Sequence, residues 1–180
     1  DTSLAPDALL RFPLQLAVPP SPAAVYRVRV DEPGSRAGAV LGGPHAVPDF
    51  KGARLALSDV LLADPTATGS WHRGDVTLAL TPTAVFPGGT LTMYYEVYHL
   101  PAGTSYETEL EVAPVRHALF GGGGRTVRVR YTEQATESGT IPELRRIQTQ
   151  LAPGRYRMKV RVRALAGGQL AETSREFTVR

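Results

Sequence analysis

Cysteine is absent from the 180 residues of this chain. Its absence excludes disulfide bonds, thiolate nucleophiles and zinc sites built on sulfur. Asparagine is absent too, so no acceptor for N-glycosylation exists. No run of eighteen apolar residues occurs, and the segment from Asp1 lacks the basic and apolar regions of a signal peptide. We therefore expect no transmembrane segment and no metal site held by sulfur.

Lysine is scarce, because eighteen of the twenty basic residues are arginine. The net charge of +3 is modest, so it permits an acidic partner without requiring one. Apolar residues make up 42% of the chain, which is enough to bury a core in one large or two small domains. These proportions indicate a globular protein.

Short β-strands are the dominant pattern. Fifteen prolines and eighteen glycines separate segments in which apolar and polar residues alternate, as in an all-β chain. The clearest segment is residues 91–100, which returns after a short turn as residues 106–112 and so predicts a hairpin. One face of its first strand carries Thr92, Tyr94, Glu96, Tyr98 and Leu100, and the other carries Met93, Tyr95, Val97 and His99.

The two ends of the chain repeat one arrangement of three strands. At the N-terminus these are residues 9–18, 25–30 and 38–47, and at the C-terminus residues 143–151, 156–165 and 170–179. The segment 142–151 has weak helical features, but the repeat favours a strand. Ahead of the second set alone the pattern predicts five more strands, at residues 54–62, 76–80, 91–100, 106–112 and 126–131.

This inequality predicts the fold class and the domains. Residues 52–180 contain enough strands for a complete immunoglobulin-like antiparallel β-sandwich. Residues 1–50 contain only the closing three strands of a second, incomplete sandwich-like unit, whose apolar face then needs a cover. That cover could be the complete sandwich, a missing segment or another chain.

A ladder of cations lies on one predicted strand face. It contains Arg155, Arg157, Lys159, Arg161 and Arg163. One interpretation is an anion-binding or nucleic-acid-binding ridge. The interpretation we favour is a solvated face, because Glu107, Glu109 and Glu111 form a matching acidic strand and no base-stacking aromatic residues alternate with the arginines. We therefore expect no nucleic-acid partner.

The aromatic residues suggest a different surface. Tyr94 and Tyr98 share a face and could stack on a sugar, although core packing is the alternative that we favour. Trp71, the only tryptophan, precedes an Arg-Gly-Asp triplet at residues 73–75. A triplet alone is weak support for adhesion, so we expect a loop in which Trp71 covers the end of the core.

No catalytic or cofactor site is indicated. The four histidines, at 45, 72, 99 and 117, have no metal-ligand spacing, and residues 58–59 lack the frame of a nucleophile elbow. The run Gly121 to Gly124 leads into a strand rather than a helix, which favours a connector over a phosphate loop. We predict that the protein is not an enzyme and binds no cofactor or metal.

Several motifs resemble the C-terminal β-sandwich region of bacterial GWxTD-domain-containing proteins. The similar segments are LALSDVLLA at 55–63, residues 81–112, LAPGRYRMKVRVRAL at 151–165 and REFTV at 175–179. The motifs within them are Leu57-Ser58-Asp59, Tyr94-x-Glu96-x-Tyr98 and Pro153-Gly154-x-Tyr156. The Gly-Trp-x-Thr-Asp sequence itself is absent. The resemblance implies an extracytoplasmic, periplasmic bacterial protein and supplies no catalytic residues.

Together these patterns predict a non-catalytic structural or protein-interaction subunit. We expect it to dock onto a larger assembly, and a membrane complex such as a respiratory or photosynthetic one would fit. The alternative is a carbohydrate-binding β-sandwich module that uses the tyrosine strand. The candidate interaction residues are Tyr94, Tyr98, Trp71, Arg157, Lys159 and Arg161.

Overall fold

The structure is a computed structural model that describes residues 16–32, 34, 37–63, 71–81, 85–86, 89–115 and 125–180. Throughout these residues the regular secondary structure is β. Within them, no helix is long and apolar enough to cross a membrane. The chain divides into two compact units, one within Leu14–Gly52 and one within Ala53–Arg180.

Thirteen strands are described. The first unit contains β1 (Val25–Asp31) and β2 (Gly38–Pro44). The second unit contains β3 (Ala56–Leu57), β4 (Leu61–Ala63), β5 (Trp71–Arg73), β6 (Val76–Leu78), β7 (Val85–Phe86), β8 (Gly89–Leu100), β9 (Ser105–Pro114), β10 (Val127–Gln134), β11 (Gly139–Thr149), β12 (Gly154–Ala164) and β13 (Leu170–Val179).

The second unit is an immunoglobulin-like β-sandwich. One sheet has the order β10-β9-β12-β13-β7, and the other has β11 and β3 on either side of β8, with β4 also paired to β8. All pairings are antiparallel except that of β13 with β7. Successive strands β8 and β9 therefore lie in different sheets, as do β10 and β11, which is the connectivity of immunoglobulin domains. The predicted all-β sandwich is confirmed.

The core lies between the two sheets and is supplied mainly by β8, β9 and β12. Alternation places Tyr106, Thr108, Leu110 and Val112 inward from β9, as the sequence predicts. From β12 the inward residues are Tyr156, Met158, Val160, Val162 and Ala164. All of these side chains are buried. The fold therefore depends on a period of two maintained along both strands.

The end of β8 departs from this period. Leu100 was expected on the same face as Tyr98, but it belongs to the main core. His99 has a φ of 67°, and the pairing of β8 with β11 shifts register next to Leu100. The extra residue forms a β-bulge, which returns the following side chain to the inner face. A local backbone feature thus corrects the simple alternation.

Several strand bounds differ from the prediction. The segment 54–62 is two short strands, β3 and β4. Between them, the hydroxyl of Ser58 accepts a hydrogen bond from the backbone N–H of Glu96 at 2.8 Å, and the N–H of Ser58 donates to the carbonyl oxygen of Glu96 at 3.0 Å. Strands β5 and β7 were not predicted. Segment 142–151 does lie largely in strand β11, which pairs only with β8 among the described residues and so tolerates Pro142.

The first unit is a hairpin. Strands β1 and β2 pair from Val25↔Pro44 to Asp31↔Gly38, and a bridge joins Ser21 to Val47. The predicted first strand, residues 9–18, falls mostly outside the described residues, and its last three residues are not in a strand. The three-strand unit therefore stays a prediction, with two of its strands observed.

Tyr156 closes the turn that leads into β12. Its hydroxyl donates a hydrogen bond to the carbonyl oxygen of Ala152 at 2.9 Å, and its ring packs on Phe177 with 5.7 Å between centroids. A buried tyrosine at the start of this strand, bonded to the backbone just upstream, is the tyrosine corner of immunoglobulin-like domains. It fixes the crossing from β11 to β12.

We predict that Tyr156→Phe lowers the free energy of unfolding by about 1 kcal/mol, because the hydrogen bond to the carbonyl oxygen of Ala152 is lost. Urea unfolding followed by circular dichroism measures the change. Tyr26→Phe is the matched control, since the ring of Tyr26 is exposed, and it should leave the stability unchanged. Equal stability of Tyr156→Phe and the wild type would contradict a stabilising role for this hydrogen bond.

Candidate interaction surface

One face of the β1–β2 hairpin is apolar and exposed. Pairing in the hairpin sets Val28 opposite Leu41 and Val30 opposite Ala39, so these side chains share one face. We call this the hairpin face; it consists of Tyr26, Val28, Val30, Ala39 and Leu41. Tyr26 is 42% exposed, Val30 62% and Leu41 65%. Val25 and Val40 are exposed on the opposite face, so the hairpin face carries three of the five large apolar side chains that the hairpin exposes. An exposed apolar surface of this kind indicates an interaction site.

Strand β12 of the sandwich has the same sequence pattern as β1, but its apolar face is buried in the core. Tyr26 and Val30 in β1 correspond to Tyr156 and Val160 in β12, because the run Val-Tyr-Arg-Val-Arg-Val matches Arg-Tyr-Arg-Met-Lys-Val. In β12 these two residues are 2% and 0% exposed. The hairpin thus has the pattern of a central sandwich strand without its cover.

The opposite face of the hairpin carries Arg27 and Arg29. Arg29 pairs with Asp31 of its own strand at 2.9 Å. Across the hairpin, Gly42 lies opposite Arg27 and Val40 lies opposite Arg29. A Cβ atom on Gly42 would lie 2.8 Å from the carbonyl oxygen of Tyr26, so β2 approaches too closely for a larger residue there. Strand β2 therefore supplies no carboxylate to either arginine.

The cation ladder of β12 lies in a different environment. Strand β9 runs between β10 and β12, so its glutamates face cations on both sides, as expected from the sequence. Glu109 is the centre of this pattern. It accepts a hydrogen bond from Arg161 at 3.3 Å and pairs with Arg130 on the other side. The ladder is a network of cross-strand ion pairs.

The three candidate residues of this ladder all have carboxylate partners. Arg157 pairs with Glu176 at 2.7 Å. Lys159 and Arg161 both pair with Glu172, at 3.3 Å and 2.6 Å. Arg157 and Lys159 also line an open depression of about 370 Å³. Since each of these cations already has a carboxylate partner, its attraction for a further anion is reduced.

The tyrosine strand holds a buried carboxylate rather than an open platform. Glu96 lies on the outer face of β8 and pairs with Arg73 of β5 through two hydrogen bonds of 2.6 Å and 2.9 Å. The hydroxyl of Tyr94 donates to Glu96 at 2.8 Å, and Tyr98 donates to its other oxygen. Trp71 packs edge-on against Tyr94, with ring centroids 5.2 Å apart. The β5–β6 hairpin thereby covers this part of β8.

This arrangement changes the roles expected from the sequence. Trp71 lies in a strand, not a loop, and packs in a small cluster with Ala63, Leu78 and Tyr94 on the outer side of β8. Tyr94 is buried, so its ring presents no face to a sugar. Arg73 of the Arg-Gly-Asp triplet is engaged by Glu96.

The charge of Glu96 is stabilised where it lies. Burial alone would raise the pKa of Glu96, but hydrogen bonds from Arg73, Tyr98 and Tyr94 outweigh burial and hold the pKa below that of a free glutamate. Burial and the neighbouring carboxylate raise the pKa of both tyrosines, so both remain donors at neutral pH.

A second polar network was not foreseen from the sequence. Glu143 of β11 is buried, pairs with Arg145 and accepts a hydrogen bond from the Tyr106 hydroxyl at 2.7 Å. Arg145 also lies over the ring of Tyr131, 4.6 Å from its centroid, and pairs with Glu133. These contacts join β11 to β9 and β10 of the facing sheet. The only sequence feature that could have indicated this network was the presence of Glu143 and Arg145 on the same face of one strand.

Glu143 differs from Glu96 in its electrostatics. Burial raises the pKa of Glu143 above that of a free glutamate, although Tyr106 and Arg145 act in the opposite direction. The two buried carboxylates of the sandwich are thus shifted in opposite directions. Burial is the largest influence on both pKa values: at Glu143 it prevails, helped by the charge of Glu133, whereas at Glu96 the hydrogen bonds from Arg73, Tyr98 and Tyr94 outweigh it.

The remaining chemical candidates do not form a cluster. Among the residues that the structure describes, no three His, Asp or Glu side chains are grouped so as to hold a metal ion. His117 and the run Gly121 to Gly124 lie outside these residues. His72 contacts Thr77 within the β5–β6 hairpin, and His99 occupies the bulge of β8.

The sequence matches no protein-family model, and no curated protein matches it significantly. The resemblance to the sandwich region of GWxTD-domain-containing proteins therefore stays a prediction. The structure gives its motifs physical roles, however. Ser58 of the Leu-Ser-Asp segment anchors the break between β3 and β4, Glu96 fastens the β5–β6 hairpin, and Tyr156 forms the corner.

We predict opposite pH signatures for Glu96→Gln and Glu143→Gln. The lowered pKa of Glu96 contributes stability above the pKa of the unfolded chain, and this contribution is lost as the pH falls through the folded pKa. Glu96→Gln should therefore cost about 1–2 kcal/mol at pH 7, since its partner Arg73 is half-exposed, and less at pH 3.

The raised pKa of Glu143 has the reverse effect. Its contribution is fully present below the unfolded pKa and is lost as the pH rises through the folded pKa. The stability of Glu143→Gln relative to the wild type should therefore be higher at pH 7 than at pH 3. Urea unfolding of the wild type and both variants across this range measures both curves, and parallel curves would contradict the assignment.

Proposed function

We propose that this protein is a non-catalytic structural subunit that docks onto a larger protein assembly through the hairpin face. The observation that supports the proposal is the contrast between two copies of one pattern. Tyr156 and Val160 are buried in the sandwich, whereas Tyr26 and Val30 are exposed in the hairpin. An apolar strand face of this kind is stable when something covers it.

The energetics support the same proposal. Two paired strands alone are marginally stable in water, and a further layer or strand is needed for independent stability. Full burial of one valine or leucine side chain contributes about 1.5–3 kcal/mol. The hairpin face presents three such side chains, Val28, Val30 and Leu41, together with Tyr26. A docking partner gains this contribution directly.

The setting of the assembly is a further part of the proposal. The resemblance to an exported bacterial family supports a periplasmic or otherwise extracytoplasmic location. The assembly would then be one exposed to that compartment, for example the extracytoplasmic side of a respiratory or photosynthetic membrane complex. The carbohydrate alternative is not adopted, because it requires an exposed tyrosine ring to stack on a sugar, and Tyr94 is buried against Trp71.

Site-specific photo-crosslinking in the producing cells tests the proposal. A benzophenone amino acid at Val30 should give a discrete adduct with a second protein, and Leu41→Ser in the same chain should reduce its yield severalfold. The matched control is the same probe at Leu165, a turn residue of the sandwich that is 53% exposed. The control position should give no such adduct.

Two outcomes would contradict the proposal. One is the absence of an adduct at Val30 in cells that produce folded protein at normal levels. The other is the same set of adducts from Val30 and from Leu165, because contacts without a preferred surface are not docking.

A further inference from the structure

We infer that a segment of the partner protein pairs with the free edge of β1 as a third strand, and that this segment alternates apolar and acidic side chains. The inference rests on the proposed docking function and specifies the chemistry of its partner. It is argued from the edge, the charges and the apolar face of the hairpin.

Among the described residues, no strand pairs with the edge of β1 that lies away from β2. Among the described residues, β2 is the only strand paired with β1, along the seven positions from Val25 to Asp31. Strand β12, which carries the same pattern, has β13 on one side and β9 on the other. Within its own sheet, β1 therefore lacks the neighbour that occupies the place of β9. Backbone N–H and C=O groups on an open edge are what strand addition satisfies.

The charges indicate which strand fits. In the sandwich, β13 supplies Glu172 and Glu176 to the cations of β12, and β9 supplies Glu109 from the other side. In the hairpin, β2 supplies only Gly42 and Val40 at the positions opposite the arginines. A carboxylate that neutralises Arg27 and Arg29 by cross-strand pairing must therefore come from the open side of β1.

Arg27 strengthens this argument. No ion pair of Arg27 occurs within the described part of the chain, and Arg29 shares only the adjacent Asp31. Both arginines are exposed. An incoming strand can therefore reach them without displacing an existing carboxylate partner of Arg27.

The hairpin face sets the other half of the pattern. Side chains of an added strand alternate, so residues between the acidic positions extend the face formed by Tyr26, Val28 and Val30. Strand β9 is an internal example, because Glu109 and Glu111 lie opposite Arg161 and Lys159 while Leu110 and Val112 lie opposite Val160 and Met158. A strand of this composition places acidic side chains beside the arginines of β1 and apolar side chains beside the hairpin face.

The peptide Ser-Tyr-Glu-Thr-Glu-Leu-Glu-Val, which is residues 105–112, is the probe for this inference. It carries a fluorophore and blocked ends, and fluorescence anisotropy with the full chain measures its dissociation constant. The wild type should bind it, and Arg27→Glu with Arg29→Glu should weaken binding by about tenfold or more, since two favourable charge pairs become repulsive. Arg146→Glu, a single charge reversal at an exposed position of β11, is the control and should leave binding unchanged.

A second peptide tests the complementarity itself. Replacing its three glutamates by lysine should abolish binding to the wild type and restore binding to the double variant. Amide hydrogen exchange should slow within Val25–Asp31 when the acidic peptide binds, which locates the contact on β1. The double variant should have the same melting temperature as the wild type, which shows that the fold is retained.

The outcomes separate this inference from the function on which it rests. If the Val30 adduct forms but neither peptide binds, strand addition is wrong and docking stands. If the acidic and lysine peptides bind the wild type equally, the charge pattern is wrong. If the wild type sediments as a dimer and the double variant as a monomer, the edge of β1 pairs with a second copy of the chain, and the inference is overturned. Absence of the Val30 adduct, with peptide binding intact, would contradict the docking function alone.

Discussion

Every strand in this molecule has two faces and two edges, and each must be covered, paired or solvated. Strand β12 meets all four requirements, since its apolar face is buried, its charged face is solvated and carries cross-strand ion pairs, and both edges are paired. Strand β1 has the same pattern but is paired along one edge only among the described residues. This difference between the two strands is the observation on which the proposed docking function rests.

Two buried carboxylates show how the sandwich manages its open surfaces. Glu96 joins the outer face of β8 to the hairpin that covers it, and Glu143 joins the edge strand β11 to the facing sheet. Each carboxylate is paired with an arginine and receives a hydroxyl donor, so neither is left as an isolated buried charge. Their pKa values shift in opposite directions because burial and the charge of Glu133 prevail at Glu143, whereas hydrogen bonds from Arg73 and two tyrosines prevail over burial at Glu96.

The sequence predicted those features that depend on periodicity alone. Alternation located β8, β9, β12 and β13, and the glutamates of β9 indicated the cross-strand pairs. Three-dimensional contacts between distant segments were not predictable. The alternation of apolar and polar residues did not indicate the bulge at His99, the strand that contains Trp71, or the contact between Arg145 and Tyr131 across the two sheets. Each depends on which side chains the fold places together rather than on local propensity.

The arginines of β1 also affect which strands can pair with its edge. An open strand edge beside an apolar face would pair indiscriminately, and charged side chains are a common protection against this. Two copies meeting edge to edge along β1 would bring Arg27 and Arg29 against their counterparts, which like-charge repulsion disfavours. An acidic strand meets no such barrier. In the strand addition that we propose, the same two arginines would therefore disfavour pairing between two copies and favour an acidic partner strand.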